Sequence, residues 1–246
     1  MARPIYDDIG KTYASTRRPD PRIAAKIVDA LGDAMSVVNV GAGAGSYEPI
    51  DRRVVAVEPS WEMIRQRPDG AARVVRAVAE ALPFGDGAFE AALAMITLHH
   101  WTDWRRGLDE MRRVARRVVI FTFEPNEVGN FWLVEEYFPE IVRLDQGRCP
   151  PVDEVKAHLG EVTDMRVPIP HDCVDGFLAC YWRRPEAYLD PQIRAGMSAF
   201  PLLPPAVVDR GVERLRADLD SGRWDERFGH LRESDELDVC YRLLTA

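Results

Sequence analysis

Short apolar runs alternate with amphipathic segments through the first half of the chain. The runs are rich in Val, Ile, Ala and Phe, and they end in turn-forming residues, as buried strands do. They lie at Ser36–Val40, Arg53–Val57, Arg73–Ala77, Phe89–Met95 and Val118–Phe123. Strands that alternate with helices in this way are typical of a parallel sheet that helices cover on both faces.

Helix signals fill the gaps between these runs. Apolar residues recur every four positions between Pro21 and Gly32, which predicts an amphipathic helix that ends at the glycine. Ser60 and Asp103 each precede a helical pattern and are expected to cap it. The first half of the chain therefore reads as a regular succession of strands and helices.

The rhythm changes at Glu124, where aromatic residues and prolines become frequent. Further strands are predicted only at Val162–Val167 and Asp238–Leu244. Together with the five earlier strands, they predict an α/β fold with a Rossmann-like, doubly wound, seven-stranded and mostly parallel sheet. The remaining segments of the second half are expected to form a helical cap.

Composition narrows the class of protein. The 246 residues are 46% hydrophobic and 29% charged, which is expected of a folded, soluble protein. No apolar run approaches the roughly 20 residues that a membrane span needs. The first residues lack the basic and apolar parts of a signal peptide, so a cytoplasmic location is expected. The net charge of -8 argues against nucleic acid as a partner.

The cysteines do not suggest a metal site. Their spacing matches neither paired zinc ligands nor a dense set of disulfides, so buried, reduced thiols and no bound metal are expected. They are Cys149, Cys173, Cys180 and Cys240.

A glycine-rich turn and an acidic residue point to a nucleotide-like ligand. Gly41, Gly43 and Gly45 follow the first predicted strand, and Glu58 ends the second, 17 residues after Gly41. Ligands of doubly wound sheets bind beyond the carboxyl ends of the strands. Glycines let the backbone approach such a ligand, and a carboxylate can accept hydrogen bonds from both ribose hydroxyls. The pair predicts a nucleoside cofactor, whereas a surface glutamate beside a structural turn is the alternative.

The spacing of the glycines separates two classes of cofactor. A dinucleotide loop reads G-x-G-x-x-G, but the sixth position here is Ser46 and the third glycine comes one residue early. A nicotinamide cofactor is therefore disfavoured.

The ordered set of motifs over residues 36–123 resembles the class I S-adenosylmethionine-dependent methyltransferases. Its segments are Val40–Gly45, Val57–Ser60 with Met63, Ala79–Phe84, Phe89–Ala92 with Leu98–His100, and Arg113–Arg116. The set is most similar to the branch that includes quinone, sterol and trans-aconitate methyltransferases. The resemblance implies S-adenosylmethionine as cofactor and methyl transfer to an oxygen or carbon atom of a small-molecule acceptor. A protein that binds this cofactor without methylating, either cyclase-like or regulatory, is the alternative.

The sequence shows no internal repeat, no low-complexity tract and no long linker, which predicts one domain over residues 1–246. Its parts would be an N-terminal lid with the first helix (1–35), a cofactor-binding core (36–123), a helical cap (124–161 and 168–235) and a last strand (236–246).

Carried over residue by residue, the resemblance implies a set of cofactor contacts. Gly41, Gly43 and Gly45 would flank the methionine part, and Glu58 would hold the ribose. Pro59 and Met63 would pack on adenine, and Met95 would lie beneath the sulfonium. Tyr13 and Arg17 of the lid would close over the cofactor, with Arg18 competing for the role of Arg17. Val78 stands where relatives carry an aspartate that binds the adenine amino group. That contact is expected to move to Glu80 or to the backbone around Ala79.

Two histidines are candidates for work on the acceptor. Methyl transfer needs mainly an in-line approach of the reactants, but an acidic acceptor gains if a base removes its proton. His100, beside His99 after the fourth strand, could be that base; the alternative is that the pair is structural. His171, beside Asp172 past the sixth strand, could complete the acceptor pocket from the cap.

Overall fold

A seven-stranded sheet forms the centre of the computed structural model, which describes residues 4–11 and 13–246. The strands are β1 (Ser36–Val40), β2 (Arg53–Val57), β3 (Arg73–Val75), β4 (Phe89–Met95), β5 (Ala115–Phe123), β6 (Thr163–Arg166), β7 (Ile169–Pro170), β8 (Glu236–Leu237) and β9 (Tyr241–Thr245). The order in the sheet is β3-β2-β1-β4-β5-β9-β6, and β7 pairs with β8 separately.

The pairing is parallel from β3 through β5 and antiparallel where β9 joins β5 and β6. The predicted seven-stranded, mostly parallel sheet is therefore confirmed. The strand order reverses between β1 and β4, since the chain first builds outward through β2 and β3 and then returns. A crevice forms at such a reversal, outside the carboxyl ends of the strands.

The helices pack on both faces of the sheet and form the cap. They are α1 (Tyr6–Ile9), α2 (Tyr13–Thr16), α3 (Pro21–Leu31), α4 (Trp61–Arg65), α5 (Trp104–Val114), α6 (Trp132–Tyr137), α7 (Glu140–Gln146), α8 (Val152–Leu159), α9 (Pro191–Ala195), α10 (Pro205–Asp220) and α11 (Arg223–Phe228). Among the described residues, none of these helices combines the length and the apolar character that a membrane crossing requires.

Both predicted N-caps are confirmed. Ser60 Oγ accepts the backbone N–H of Met63 at the start of α4, at 3.3 Å. Asp103 Oδ1 accepts the backbone N–H of Arg106 at the start of α5, at 3.1 Å. Each side chain satisfies a donor that the first helical turn leaves without an intrahelical partner.

Strand ends differ from the predicted ones where a neighbour decides them. β3 ends at Val75 and not at Ala77, because Val75 pairs with Val57, the last residue of β2. β9 begins at Tyr241, three residues later than predicted, because Tyr241 pairs with Phe123 at the end of β5. A strand extends only as far as the neighbouring strand pairs with it. The apolar pattern of one strand does not show where its neighbour ends.

The sheet separates two apolar cores. Alternate residues of each strand face opposite sides, so Val37 and Phe121 pack on the side of α3, whereas Val38 and Ile120 pack on the side of α5. The core on the α3 side continues into the cap. There Trp132 and Trp182 are buried, and the indole Nε1 of Trp132 donates to the carbonyl oxygen of Trp182 at 3.0 Å. The cap is thus continuous with one face of the sheet.

Candidate functional site

A cavity of about 400 Å³ lies beyond the carboxyl ends of β1, β2 and β4. Its volume falls within the range of roughly 300–1,000 Å³ that small-molecule sites occupy. Most of the residues singled out in the sequence lie in its wall: Tyr13, Arg17, Gly41, Gly43, Glu58, Pro59, Met63, Ala79, Glu80, Met95 and His100. The structure thus brings together residues from the N-terminal segment and from the loops after four strands, β1 to β4.

The turn after β1 depends on glycine. The backbone N–H groups of Gly41 and Ala42 both donate to the carbonyl oxygen of Val57, at 2.9 and 3.0 Å, so the turn crosses the end of β2. Gly41 has a φ of 71°, and a Cβ atom there would lie 2.1 Å from Oγ1 of Thr97. Only glycine therefore fits where this turn passes the loop after β4.

Glu58 lies at the junction of the loops after β1 and β2. Its side chain accepts the backbone N–H of Gly43 through Oε2 and that of Ser60 through Oε1, both at 2.8 Å. The residue is 5% exposed. Burial raises the pKa of Glu58, while the two backbone hydrogen bonds act in the opposite direction. The carboxylate is therefore fixed in position in the cavity wall.

Two of the predicted site residues lie outside this wall. Gly45 closes the turn by donating from its N–H to the carbonyl oxygen of Ala42 at 2.9 Å, and it faces the Arg67 guanidinium. His171 lies beside Asp235, whose carbonyl oxygen accepts the backbone N–H of His171 at 2.8 Å and lies 3.1 Å from Nδ1 of the ring. His171 is expected from the sequence to complete the acceptor pocket, but the β7–β8 pairing holds it on another part of the cap, outside the wall of this cavity.

Short helices of the N-terminal segment cover the cavity. Ser60 Oγ donates to Asp7 Oδ1 at 2.6 Å, which fastens α1 to the start of α4. At the other end of the segment, Arg17 donates from Nη1 to the hydroxyl oxygen of Tyr13 and from Nε to Asp175 Oδ1, each at 2.6 Å. The segment is thus held to the core at one end and to the cap at the other. Arg18, the competing candidate, does not line the cavity.

His99 and His100 lie in a short 3-10 turn after β4, and both face the cavity. Neither Nδ1 of His99 nor Nε2 of His100 has a hydrogen-bond partner among the described residues, although both atoms are buried. Burial, with the positive charges of Arg148 and Arg17 nearby, lowers the pKa of His100 to about 3. The pKa of His99 is also well below its usual value, chiefly because of burial. Both rings are therefore neutral near pH 7 and offer unused polar atoms.

The side chain of Val78 has no acceptor for a hydrogen bond from the adenine amino group. Val78 and Glu80 both line the cavity. However, Glu80 Oε1 accepts the backbone N–H groups of Thr102 and Asp103, at 2.7 and 3.1 Å. One oxygen of Glu80 thus holds the turn before α5.

Sequence reasoning missed several wall residues. Tyr6, on α1, meets His100 edge-on with ring centroids 4.8 Å apart. Arg148, which follows α7, reaches the cavity from the cap. Ile96, after β4, has a φ of 47°, which is exceptional for a β-branched residue. None of the three stands in a recognisable pattern, since a lone tyrosine, one arginine among many and a strained backbone leave no local signature.

Comparisons with known proteins agree with this geometry. A family described as a methyltransferase domain matches residues 38–123. The solved structure of a protein from Anabaena variabilis, described as a methyltransferase from an antibiotic biosynthesis pathway, is 31% identical and superposes with a TM-score of 0.87, covering 96% of this chain and 99% of that one. The similarity to the Anabaena protein thus extends over the sheet and the cap.

Two further relatives are more distant. The uncharacterized methyltransferase YcgJ of Bacillus subtilis is 28% identical over 139 residues, which span 52% of this chain and about half, 48%, of YcgJ. Geranyl diphosphate C-methyltransferase from Streptomyces coelicolor A3(2) is 16% identical, with a TM-score of 0.50 over 92% of this chain and 79% of that one. At such low identity, the second similarity concerns the fold alone.

Proposed function

Because this chain belongs to the class I S-adenosylmethionine-dependent methyltransferases, we propose that it transfers a methyl group from S-adenosylmethionine to an oxygen or carbon atom of a small-molecule acceptor. The observation that carries the proposal is the position of the buried Glu58 carboxylate beside the Gly41–Gly43 turn, in one cavity at the strand reversal. The limited volume of that cavity, about 400 Å³, favours a small acceptor.

The residues of the cavity fit this cofactor. Glu58 offers a fixed carboxylate for the ribose hydroxyls, and the turn at Gly41 and Gly43 carries no side chain that would block the methionine part. Met63, which is 1% exposed, and Pro59 supply an apolar surface for adenine. When bound, S-adenosylmethionine supplies a methyl group that is already activated by its positively charged sulfur.

The chain's own part is then to position the acceptor and exclude water. Holding two reactants in an in-line arrangement can supply most of the acceleration of such a reaction. The N-terminal helices, fastened through Asp7 and Arg17, contribute Tyr6 and Tyr13 to the wall and would shield the bound reactants from solvent.

His100 suits orientation better than proton removal. A base works best when its pKa lies near the working pH, and burial lowers the pKa of His100 to about 3. A neutral imidazole can still accept or donate one hydrogen bond through its unused Nε2. We therefore assign His100 the role of orienting the acceptor.

Calorimetric titration tests the cofactor site. We expect S-adenosylmethionine and S-adenosylhomocysteine to bind with micromolar Kd values and NAD not to bind. Glu58→Gln should weaken binding about 10- to 100-fold, because a hydrogen bond to a charged group contributes roughly 1.5–3 kcal/mol.

Glu90→Gln is the matched control for this titration. Glu90 Oε2 likewise accepts two backbone N–H groups, those of Met35 and Ser36, but at the opposite end of the sheet. The control should change stability and leave cofactor affinity unchanged. Equal affinity of the Glu58→Gln variant and the wild type would contradict the proposed ribose contact.

Methyl transfer itself is measured with labelled S-adenosylmethionine and extracted metabolites. Label should appear in a small molecule, and His100→Gln should slow the transfer about tenfold, because one orienting hydrogen bond is altered, whereas His171→Gln should not change it. Cofactor binding without any labelled product would instead favour a protein that binds S-adenosylmethionine without methylating.

A further inference from the structure

A second, narrower cavity of about 40 Å³ opens beside the first. The two share five wall residues, namely Tyr6, Arg17, Ile96, His99 and Arg148. We propose that this side cavity binds the carboxylate of an acceptor whose apolar body lies in the main cavity, and that Arg148 recognises the carboxylate. The inference rests on the proposed methyl transfer, since that reaction defines the acceptor.

The size of the side cavity limits what can enter it. A water molecule needs about 10–15 Å³ on this scale, so 40 Å³ corresponds to roughly three water-sized atoms. A carboxylate has that many heavy atoms, whereas a phosphate group or an aromatic ring has more. The side cavity thus fits a carboxylate head group while the rest of the acceptor remains in the larger space.

Arg148 is held with part of its guanidinium unused. Its Nε and Nη2 both donate to Oδ1 of Asp145, at 3.1 and 2.8 Å. Asp145 is buried and therefore fixes the orientation of the guanidinium. Nη2 also lies 3.5 Å from Oγ of Ser198, whereas Nη1 has no hydrogen-bond partner within residues 4–11 and 13–246. Guanidinium groups match carboxylates in geometry and charge, so this free edge is suited to an acid.

His99 gives an independent sign of a ligand at the same junction. The residue is 6% exposed, and its Nδ1 is buried without a hydrogen-bond partner in the described part of the chain. A buried polar atom of this kind costs free energy unless a ligand or a water molecule satisfies it. An acceptor whose carboxylate lies against Arg148 would bring polar atoms to this nitrogen.

The electrostatic potential at the junction favours an anion over a cation. Arg148 and Arg17 both contribute to lowering the pKa values of His99 and His100, so both guanidinium groups place positive potential there. The Asp145 carboxylate also lines the side cavity, but it accepts Nε and Nη2 of Arg148 and leaves Nη1 for a second acid. The rest of the wall is mostly apolar and includes Phe123, Phe177 and Tyr241. An ion pair is stronger in such surroundings than in water.

Binding of a matched pair of probes tests the inference. Calorimetry with 3-phenylpropionate and 3-phenylpropionamide compares an acid with a neutral molecule of the same shape, in the presence of saturating S-adenosylhomocysteine. We expect the acid to bind at least tenfold more tightly than the amide. Arg148→Gln should abolish this preference and change the affinity for S-adenosylhomocysteine less than twofold.

Two further variants control for charge and folding. Arg143→Gln removes an exposed arginine of α7 and should leave the preference intact. Because Arg148→Gln leaves Asp145 buried without its partner, the double variant Arg148→Gln/Asp145→Asn removes both charges and avoids an unpaired carboxylate. It too should lose the preference for the acid while it keeps a cooperative thermal transition.

The outcomes separate this inference from the proposed function. Equal binding of acid and amide, or no binding of either, overturns the carboxylate site, as does a preference that survives in the double variant. Failure of S-adenosylhomocysteine to bind the wild type would instead overturn the cofactor assignment. The two probes are then titrated without it, so the preference for the acid is still measured.

Discussion

Arg17 Nε donates to Asp175 Oδ1 at 2.6 Å and thereby joins the end of α2 to a loop of the cap. Asp175 is fully buried, and its Oδ2 also accepts the hydroxyl of Tyr47 at 2.9 Å. The pair connects two parts of the chain that are separated by 158 residues. This ion pair thus links the N-terminal segment to the cap beside the cavity.

Asp175→Asn should weaken this link between the N-terminal segment and the cap and should lower the stability of the protein. Removing one partner of a buried ion pair costs about 3–5 kcal/mol, because the other charge stays buried. Urea unfolding should show that loss, and stopped-flow measurements should show faster dissociation of S-adenosylhomocysteine. Asp172→Asn breaks a pair between Arg22 and Asp172 whose side chains are 45% and 60% exposed, and should cost under about 1 kcal/mol. Equal losses in the two variants would refute a special role for Asp175.

Two glycines with similar backbone angles separate the effect of φ from that of close packing. Gly41 has a φ of 71° and Gly87 a φ of 63°, but of the two only Gly41 would bring an added Cβ atom within 4 Å of other residues. Both alanine variants should lose about 1–2 kcal/mol through the left-handed backbone. Gly41→Ala should lose more, because Thr97 must move, and should also weaken S-adenosylhomocysteine binding. Chemical denaturation and calorimetry check both effects; identical stabilities would argue against the close approach at Gly41.

The histidine pair should make stability depend on pH. Burial lowers the pKa of His100 to about 3, below the ordinary value of about 6.5 that it has in the unfolded chain. Between these values the unfolded state binds a proton that the folded state does not, so stability falls as the pH is lowered.

The slope contributed by His100 is up to about 1.4 kcal/mol per pH unit below pH 6. Urea unfolding between pH 4.5 and 7.5 should give a shallower dependence for His100→Gln than for the wild type, with the two curves parallel above pH 7. Parallel curves over the whole range would show that His100 becomes protonated in the folded protein as easily as in the unfolded chain.

Ile96 should reverse the usual order of alanine and glycine. Its φ of 47° is unfavourable for a residue with a Cβ atom, by about 1–2 kcal/mol. Ile96→Gly should therefore be more stable than Ile96→Ala by about 1 kcal/mol in urea unfolding. At Ile50, an exposed loop residue without a positive φ, glycine should be the less stable replacement. The same order at both positions would exclude strain at Ile96.

The amino-acid sequence by itself determined the strands of the sheet and the part of the cavity wall that follows β1 and β2. The strands β1 to β5 follow from local apolar runs, and the caps Ser60 and Asp103 follow from adjacent helical patterns. The Gly41 turn and Glu58 follow the first two strands directly. Because parallel strands carry their carboxyl ends to one edge, the spacing alone brings these residues together.

The tertiary structure decided what closes the cavity. Tyr6, Arg148 and Asp175 come from segments far apart in the sequence, and no periodic pattern marks any of them. His171 resembled a site residue in the sequence, but the pairing of β7 with β8 holds it elsewhere. Local patterns encode which residues a strand or helix buries, whereas contacts between distant segments depend on how the whole chain packs. For this reason the wall residues that follow β1 and β2 could be predicted, whereas Tyr6 and Arg148 could not.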